Sequence, residues 1–230
     1  MRLEKAGLAL EVELWAAGYR RVAGLDEAGR GAWAGPVVAA AVILPPDPDA
    51  LAPLLGRVDD SKCLSPEVRE RLYDLIRAHA LAVGVGSVPA DEIDRVGIVP
   101  ATKAAMIQAA GALTSTPDFL LLDYLTLPGV PWPQRGLPHG DALSLSIAAA
   151  SIIAKVTRDR LMITLDSACP GYGFAQHKGY GTAGHRAALG RLGPCPLHRL
   201  SFRPVAELKS RGAGSGGMGE QENGGVGELR

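Results

Sequence analysis

The sequence predicts an α/β fold, a mixed sheet with helices packed against it. Three observations carry this. Two apolar segments, 21–26 and 36–44, are joined by a link too short for a parallel crossover, so they pair antiparallel. Beyond them, helical and extended patterns alternate, as in α/β proteins. A length of 230 residues with 47% hydrophobic and 21% charged content suits one sizeable soluble core.

The elements follow in order. Residues 3–19 mix acidic and apolar positions and read as an amphipathic helix, not a secretory signal. The segments 21–26 and 36–44 are strands, the second rich in Val and Ala and closed by the turn PPDPDA. Residues 65–80 form a helix with Ser65 as N-cap, Pro66 in the first turn, and Val68, Leu72, Leu75 and Ile76 on one face. Residues 81–88 alternate as a strand. A short helix (90–97) and a longer one (100–113) precede a buried strand at 118–127 that carries Asp123 partway along. The longest helix is expected over 141–168, with an alanine-rich middle suited to close packing, and another over 181–193. From Ser210 onward, glycine and polar residues replace the apolar pattern, which predicts a flexible tail over 210–230.

No apolar run approaches the roughly 18 residues that span a bilayer. The three cysteines, Cys63, Cys169 and Cys195, are scattered and lack metal-site spacing, which fits a reduced, cytoplasmic compartment. Net charge is zero, but its distribution is not even. Residues 1–134 hold 12 Lys and Arg against 17 Asp and Glu, a net of −5. Residues 135–209 hold 10 against 4, a net of +6, with four of the five histidines. Such asymmetry suits a polyanion held by one part and worked on by another; surface variation is the plain alternative.

The chemistry is expected where charge interrupts apolar sequence. Asp26 and Glu27 end the first strand, before the bare loop GRGAWAG. Its glycines, at 29, 31 and 35, do not form a dinucleotide fingerprint. They are spaced one residue too long and open a strand, and the two acids would repel a pyrophosphate. Asp123 interrupts FLLLDYL, where an unpaired charge is costly, and Asp141 sits in PHGDAL before the long helix. Singly, these acids have plain explanations: a hairpin corner, a strand-end turn, a helix N-cap. Together they read as one cluster for a hard cation, which takes carboxylate oxygens, waters and substrate phosphates as ligands.

Six ordered blocks then carry a resemblance: LDEAGRG, DDSKCLS, LLLDY, HGDALSLSIAAASIIAKVTRDR, HKGYGT and HRLSFRPV. Over about residues 21–207 the chain resembles ribonuclease HII, the type 2 bacterial ribonuclease H family. The resemblance implies a ribonuclease H-like mixed five-stranded sheet with flanking helices. The catalytic domain would cover 1–209, including a helical substrate-binding part at about 170–209. It implies a monomeric endonuclease that cuts the RNA strand of RNA–DNA hybrids. The family also cuts 5′ to ribonucleotides embedded in duplex DNA, leaving 5′-phosphate and 3′-hydroxyl ends, as in ribonucleotide excision repair. Asp26, Glu27, Asp123 and Asp141 would hold two Mg²⁺ or Mn²⁺ ions, one activating water and the other stabilising the leaving oxygen. Gly29, Arg30 and Gly31 match the family's substrate-reading loop, whose bare backbone approaches the sugar. Tyr180 matches its ribonucleotide-sensing tyrosine. Lys62, Lys155, Arg158, Lys178 and Arg186 are candidate phosphate contacts, with a solvated surface charge as the plain alternative for each. Since strand side chains alternate, Asp26 and Glu27 face one way only if the chain kinks, a freedom expected of Gly29 and Gly31.

The chain departs from the family pattern at His139 and Cys63, where lysine is usual. It also departs at Leu143, where a polar residue is common, and at Gly97, where asparagine is frequent. These departures bear on phosphate grip, not on the metal chemistry. The ribonuclease HIII branch fits less well, because its signature loop differs and it carries an extra N-terminal domain. Two rivals are a non-catalytic nucleic-acid-binding module and another nuclease of related fold, such as a junction resolvase. The first would be weakened by four converging acids; the second needs no 2′-hydroxyl reader.

Overall fold

The structure is a computed structural model and describes residues 6–54, 56–58 and 64–213, with main chain alone for 209–213. Helix α1 (Ala9–Ala16) precedes strands β1 (Val22–Ala28) and β2 (Val37–Ile43). Helix α2 (Pro66–His79), strand β3 (Ala82–Val88), helices α3 (Ala90–Val96) and α4 (Ile98–Gly111), and strands β4 (Phe119–Asp123) and β5 (Gln134–Leu137) follow. Five helices come after them: α5 (Gly140–Leu143), α6 (Leu145–Asp166), α7 (Phe174–His177), α8 (Ala183–Leu192) and α9 (Arg203–Ala213).

The strands form one sheet in the order β3-β2-β1-β4-β5. β1 pairs antiparallel with β2, β2 antiparallel with β3, β1 parallel with β4, and β4 parallel with β5. The expected mixed sheet and antiparallel first pair are both present. Strands β1, β2 and β4 read as continuous apolar runs because helices cover both sheet faces. Val22, Ala28, Ala40, Val42 and Leu121 pack with α6 on one face. Ala23, Leu25, Ala39, Ala41 and Leu122 pack with α4 on the other. The alanine-rich middle of α6 lies close against β1. A Cβ added at Gly24 would stand 2.1 Å from the Ser146 carbonyl carbon, so only glycine permits that approach. A third cluster, including Trp33, Met162, Phe174, Leu189 and Val205, roots the C-terminal helices against the loop after β1.

The elements depart from expectation in five places, the first being β4, expected over 118–127, which ends at Asp123 because Tyr124 turns the chain at φ +59°. α1 is shorter than 3–19: Gly7 forms a bridge with Ser144, and Gly18 at φ +99° ends the helix. Strand β5 carries no apolar pattern in its half-buried QRGL and is recognised only through its pairing with β4. The helix expected over 141–168 is two helices, because Ser144 is extended (φ −120°, ψ 126°) and starts α6 as its N-cap. Helix α9 runs to Ala213, four residues into the expected tail. Lys62, Cys63 and residues 214–230 lie outside the described residues. Among the described residues, no helix is long and apolar enough to cross a membrane.

Candidate active site

The ends of β1 and β4 meet the start of α5; Glu27 and Asp123 lie close enough to Asp26 to act on its charge, and Asp141 sits on α5, which packs on β4. β1 pairs with β2 without a break through Ala28, so no kink turns Asp26 and Glu27 to one side. The freedom expected of Gly29 and Gly31 is not spent that way. Asp26, on the α6 face, is 4% exposed and accepts a hydrogen bond from the Glu27 amide at 2.7 Å. Burial, then Glu27, then Asp123, push its carboxyl well above the usual carboxylate range. Arg30 reaches Glu27 at 3.5 Å. Asp123 closes β4 and accepts a hydrogen bond from the Gly140 amide at 2.7 Å, which ties α5 to the strand end.

Asp141 is buried in α5 and is not the cap of the long helix. Ser144 holds that role, its hydroxyl accepting from the Ile147 amide at 3.2 Å. Sequence reasoning missed the residue that fixes this junction. Glu11, expected in an amphipathic helix, is 1% exposed. Its Oε1 accepts from Ser144 Oγ (2.5 Å), Ser146 Oγ (2.7 Å) and the Ser146 amide (2.9 Å). A carboxylate at the N-terminus of α6 is favoured by the helix dipole. The break it holds leaves Asp141 on its own short helix beside Asp123.

This all-oxygen donor set fits a hard divalent cation, because closely placed carboxylates that raise each other's proton affinity are relieved by a positive charge. Among the described residues, no three His, Cys, Asp or Glu side chains already stand as a metal-holding group. Asp26 is held by its neighbour's amide.

Two buried guanidinium groups hold the loop after β1 from beneath. Arg158 donates from Nε to the Pro36 carbonyl (2.9 Å), from Nη1 to that of Lys178 (2.9 Å) and from Nη2 to that of Ala34 (3.1 Å). It is fully buried, so the expected phosphate contact is corrected: its donors are spent on the main chain. Arg199, which sequence reasoning missed, donates from Nε and Nη2 to the Gly35 carbonyl (3.0 and 2.9 Å) and from Nη1 to that of Arg30 (2.9 Å). Burial and the nearby Arg158 push its guanidinium down to about 9, still protonated at neutral pH. Gly29 makes room for this clamp: it sits at φ +87°, and a Cβ there would fall 1.8 Å from Arg158 Nε. Gly31 differs. It is exposed, has no positive φ, and a Cβ there would meet nothing within 4 Å.

Tyr180 is half-buried, with Lys155 Nζ and Arg158 Cζ each 5.2 Å from its ring centroid. Lys155 also pairs with Asp159 at 2.8 Å. Lys178, at φ +53°, turns its ammonium to the Ala175 and Gln176 carbonyls at the end of α7. Arg186 is exposed and lies 5.0 Å over the Trp33 ring. Behind Tyr180 runs a chain of neutral imidazoles. The Cys195 amide donates to His198 Nδ1 (3.0 Å), His198 Nε2 faces His185 Nε2 (3.0 Å), and His185 Nδ1 meets the Tyr180 carbonyl (3.0 Å). Only one tautomer of each ring satisfies all three contacts: His198 donates from Nε2 and His185 from Nδ1. Gly97 is explained by its conformation, φ +87° and ψ 159° between α3 and α4, a region essentially reserved for glycine, where asparagine would be strained.

The family model described as Ribonuclease HII matches residues 23–205. A ribonuclease HII of Chloroflexus aurantiacus is 60% identical over 200 residues, covering 87% of this chain and 94% of that protein. Another, of Syntrophotalea carbinolica, is 54% identical over 87% of this chain and 93% of that protein. The crystal structure of the ribonuclease H2 from Pyrococcus horikoshii superposes with a TM-score of 0.69 at 25% identity. It covers 83% of this chain and 98% of that one. Sequence and fold agree from β1 to the start of α9. The chain therefore belongs to the ribonuclease HII family, whose activity is that of a ribonuclease H acting on RNA–DNA hybrids.

Proposed function

We propose that this enzyme cuts on the 5′ side of ribonucleotides, including single ones embedded in duplex DNA, and leaves 5′-phosphate and 3′-hydroxyl ends. Asp26, Glu27, Asp123 and Asp141 would hold two divalent cations, Mg²⁺ or Mn²⁺. When bound, these supply activation of the attacking water and charge stabilisation for the leaving 3′-oxygen. The carboxylates also orient that water. Arg30, Gly31 and Gly29 present main chain to the sugar, where the 2′-hydroxyl is the group that distinguishes RNA from DNA. Tyr180 sets its ring against the ribonucleotide. Arg186 offers an exposed cation to the phosphate backbone; Lys155 and Lys178 add positive charge nearby, and Lys62 is a further candidate by its sequence match alone.

The observation that carries the ribonucleotide reading is the contrast within one loop. Gly29 is bare because the chain's own Arg158 fills the space; Gly31 is bare although nothing among the described residues fills it. A missing side chain with no internal reason, next to a cluster of acids, supports close approach by a ligand. The test is cleavage of a duplex with one ribonucleotide beside the same all-DNA duplex, in Mg²⁺ or Mn²⁺.

A further inference from the structure

Among the described residues, three that are not glycine adopt positive φ: Tyr124 (+59°), His139 (+56°) and Lys178 (+53°). Each lies within two residues of a position assigned above: Asp123, Asp141 and Tyr180. Strained main chain that clusters in this way is a mark of functional sites. Lys178 ends α7, where a left-handed residue has a capping role, and His139 precedes α5 without a side-chain cap. Tyr124 has no such role. It follows the last residue of β4 and is the centre of a three-residue turn closed by the Leu125 amide on the Asp123 carbonyl at 2.6 Å. With positive φ at its centre, such a turn is the strained form.

A bulky residue is a poor choice there. Glycine would remove the strain, and nothing inside the protein rewards the ring. Tyr124 is 70% exposed. Among the described residues its ring meets no other ring and no cation. The turn itself is anchored without it, by the buried Leu125 on one side and by the Tyr124 amide donating to the Leu137 carbonyl at 2.8 Å. Tyr124 directly follows Asp123, the last residue of β4. The exposed ring therefore stands at the rim of the acid cluster. Leu143, 48% exposed, stands on the neighbouring α5.

We propose that Tyr124 is a substrate-contacting residue whose ring packs on a sugar of the nucleic acid beside the cleaved phosphate. Every nucleotide presents a sugar, so an aromatic face that packs on one carries no sequence information. This rests on the function proposed above and adds a contact that sets affinity, not chemistry. Tyr124→Phe keeps the ring and should keep binding. Tyr124→Gly removes the ring and the strain together.

The experiment compares wild type, Tyr124→Phe and Tyr124→Gly by melting temperature and by fluorescence anisotropy with a labelled duplex holding one ribonucleotide, in Ca²⁺. Wild-type cleavage of the same duplex in Mg²⁺ is the control. Tyr124→Gly should melt no lower than wild type and bind the duplex at least about fivefold more weakly, the loss typical of a buried aromatic contact. Tyr124→Phe should bind within about twofold of wild type on the same scale. A wild type that cuts, with Tyr124→Gly binding equally well, overturns the role of the ring alone. A melting temperature several degrees lower for Tyr124→Gly overturns it too, by showing that the ring serves stability. A wild type that does not cut overturns the proposed function, and this contact falls with it.

Discussion

Arg158 occupies the space that a side chain at Gly29 would need, with its Nε 1.8 Å from where that Cβ would lie. The loop after β1 and helix α6 are thus fitted to each other. Gly29→Ala should destabilise the fold by about 2–4 kcal/mol, from left-handed strain together with displacement of a buried guanidinium. Gly31→Ala should leave the melting temperature unchanged and slow cleavage at a ribonucleotide. Thermal melts and cleavage rates of both variants check this; equal loss of stability in the two would erase the distinction between the glycines.

Arg158 and Arg186 should behave oppositely. Arg158→Met strands the Pro36, Lys178 and Ala34 carbonyls and should cost about 3 kcal/mol or more. Arg186→Ala should change stability by less than about 0.5 kcal/mol, as for most exposed positions. It should also reduce the salt dependence of duplex binding by about one counterion. Denaturant melts separate the first effect, and binding across a salt series the second.

These arginines show where sequence reading stops. Strands β1, β2 and β4 were legible because helices bury both faces, which leaves continuous apolar runs, and β3 because buried and exposed residues alternate along it. Asp26, Glu27 and Asp123 stood out because each ends or interrupts such a run, and Asp141 because it precedes the longest helical pattern. A guanidinium at 158 or 199 looks like any surface charge until its carbonyl partners are known, and those lie 122 and 164 positions away. Glu11 is hidden for the same reason, since its serine partners are more than 130 residues distant. Strand β5 was invisible because Gln134 and Arg135 give it no buried face.

The imidazole chain behind Tyr180 predicts acid sensitivity. Burial, then the neighbouring His185 and His177, push His198 down to about 4, and burial lowers His185 as well. An unfolded histidine takes up its proton near 6.5, so below that pH the unfolded state binds more protons than the folded one. Stability is full above about pH 6.5 and falls as the pH drops toward 4. Protonated His198 Nδ1 would face the Cys195 amide, donor against donor. Melting temperatures between pH 7.5 and about 4.5 should drop, and His198→Asn should flatten part of that slope. A slope unchanged in the variant would place the acid sensitivity elsewhere.

Asp26→Asn should separate charge from structure. The carboxyl is raised by burial and by two acid neighbours, so its charge opposes folding at neutral pH. The amide oxygen can still accept from the Glu27 amide. In metal-free buffer the variant should melt at or above the wild-type temperature. Added Mg²⁺ or Mn²⁺ should raise the melting temperature of wild type more than that of the variant, because ligand binding stabilises only the protein that binds it. Cleavage should fall by at least about 10²-fold, comparable to loss of one strong transition-state stabiliser. Near-normal activity in the variant would remove Asp26 from the cation site.

The central claim is that four carboxylates and a bare loop cut at the one nucleotide bearing a 2′-hydroxyl. Its most direct measurement is cleavage of a labelled DNA duplex containing a single ribonucleotide, beside the all-DNA duplex, with both product ends mapped. A single cut on the 5′ side of the ribonucleotide is expected, with a 3′-hydroxyl on one fragment and a 5′-phosphate on the other, and no cut in the all-DNA duplex. Equal cutting of both duplexes, or no cutting of either in Mg²⁺ and Mn²⁺, would contradict it.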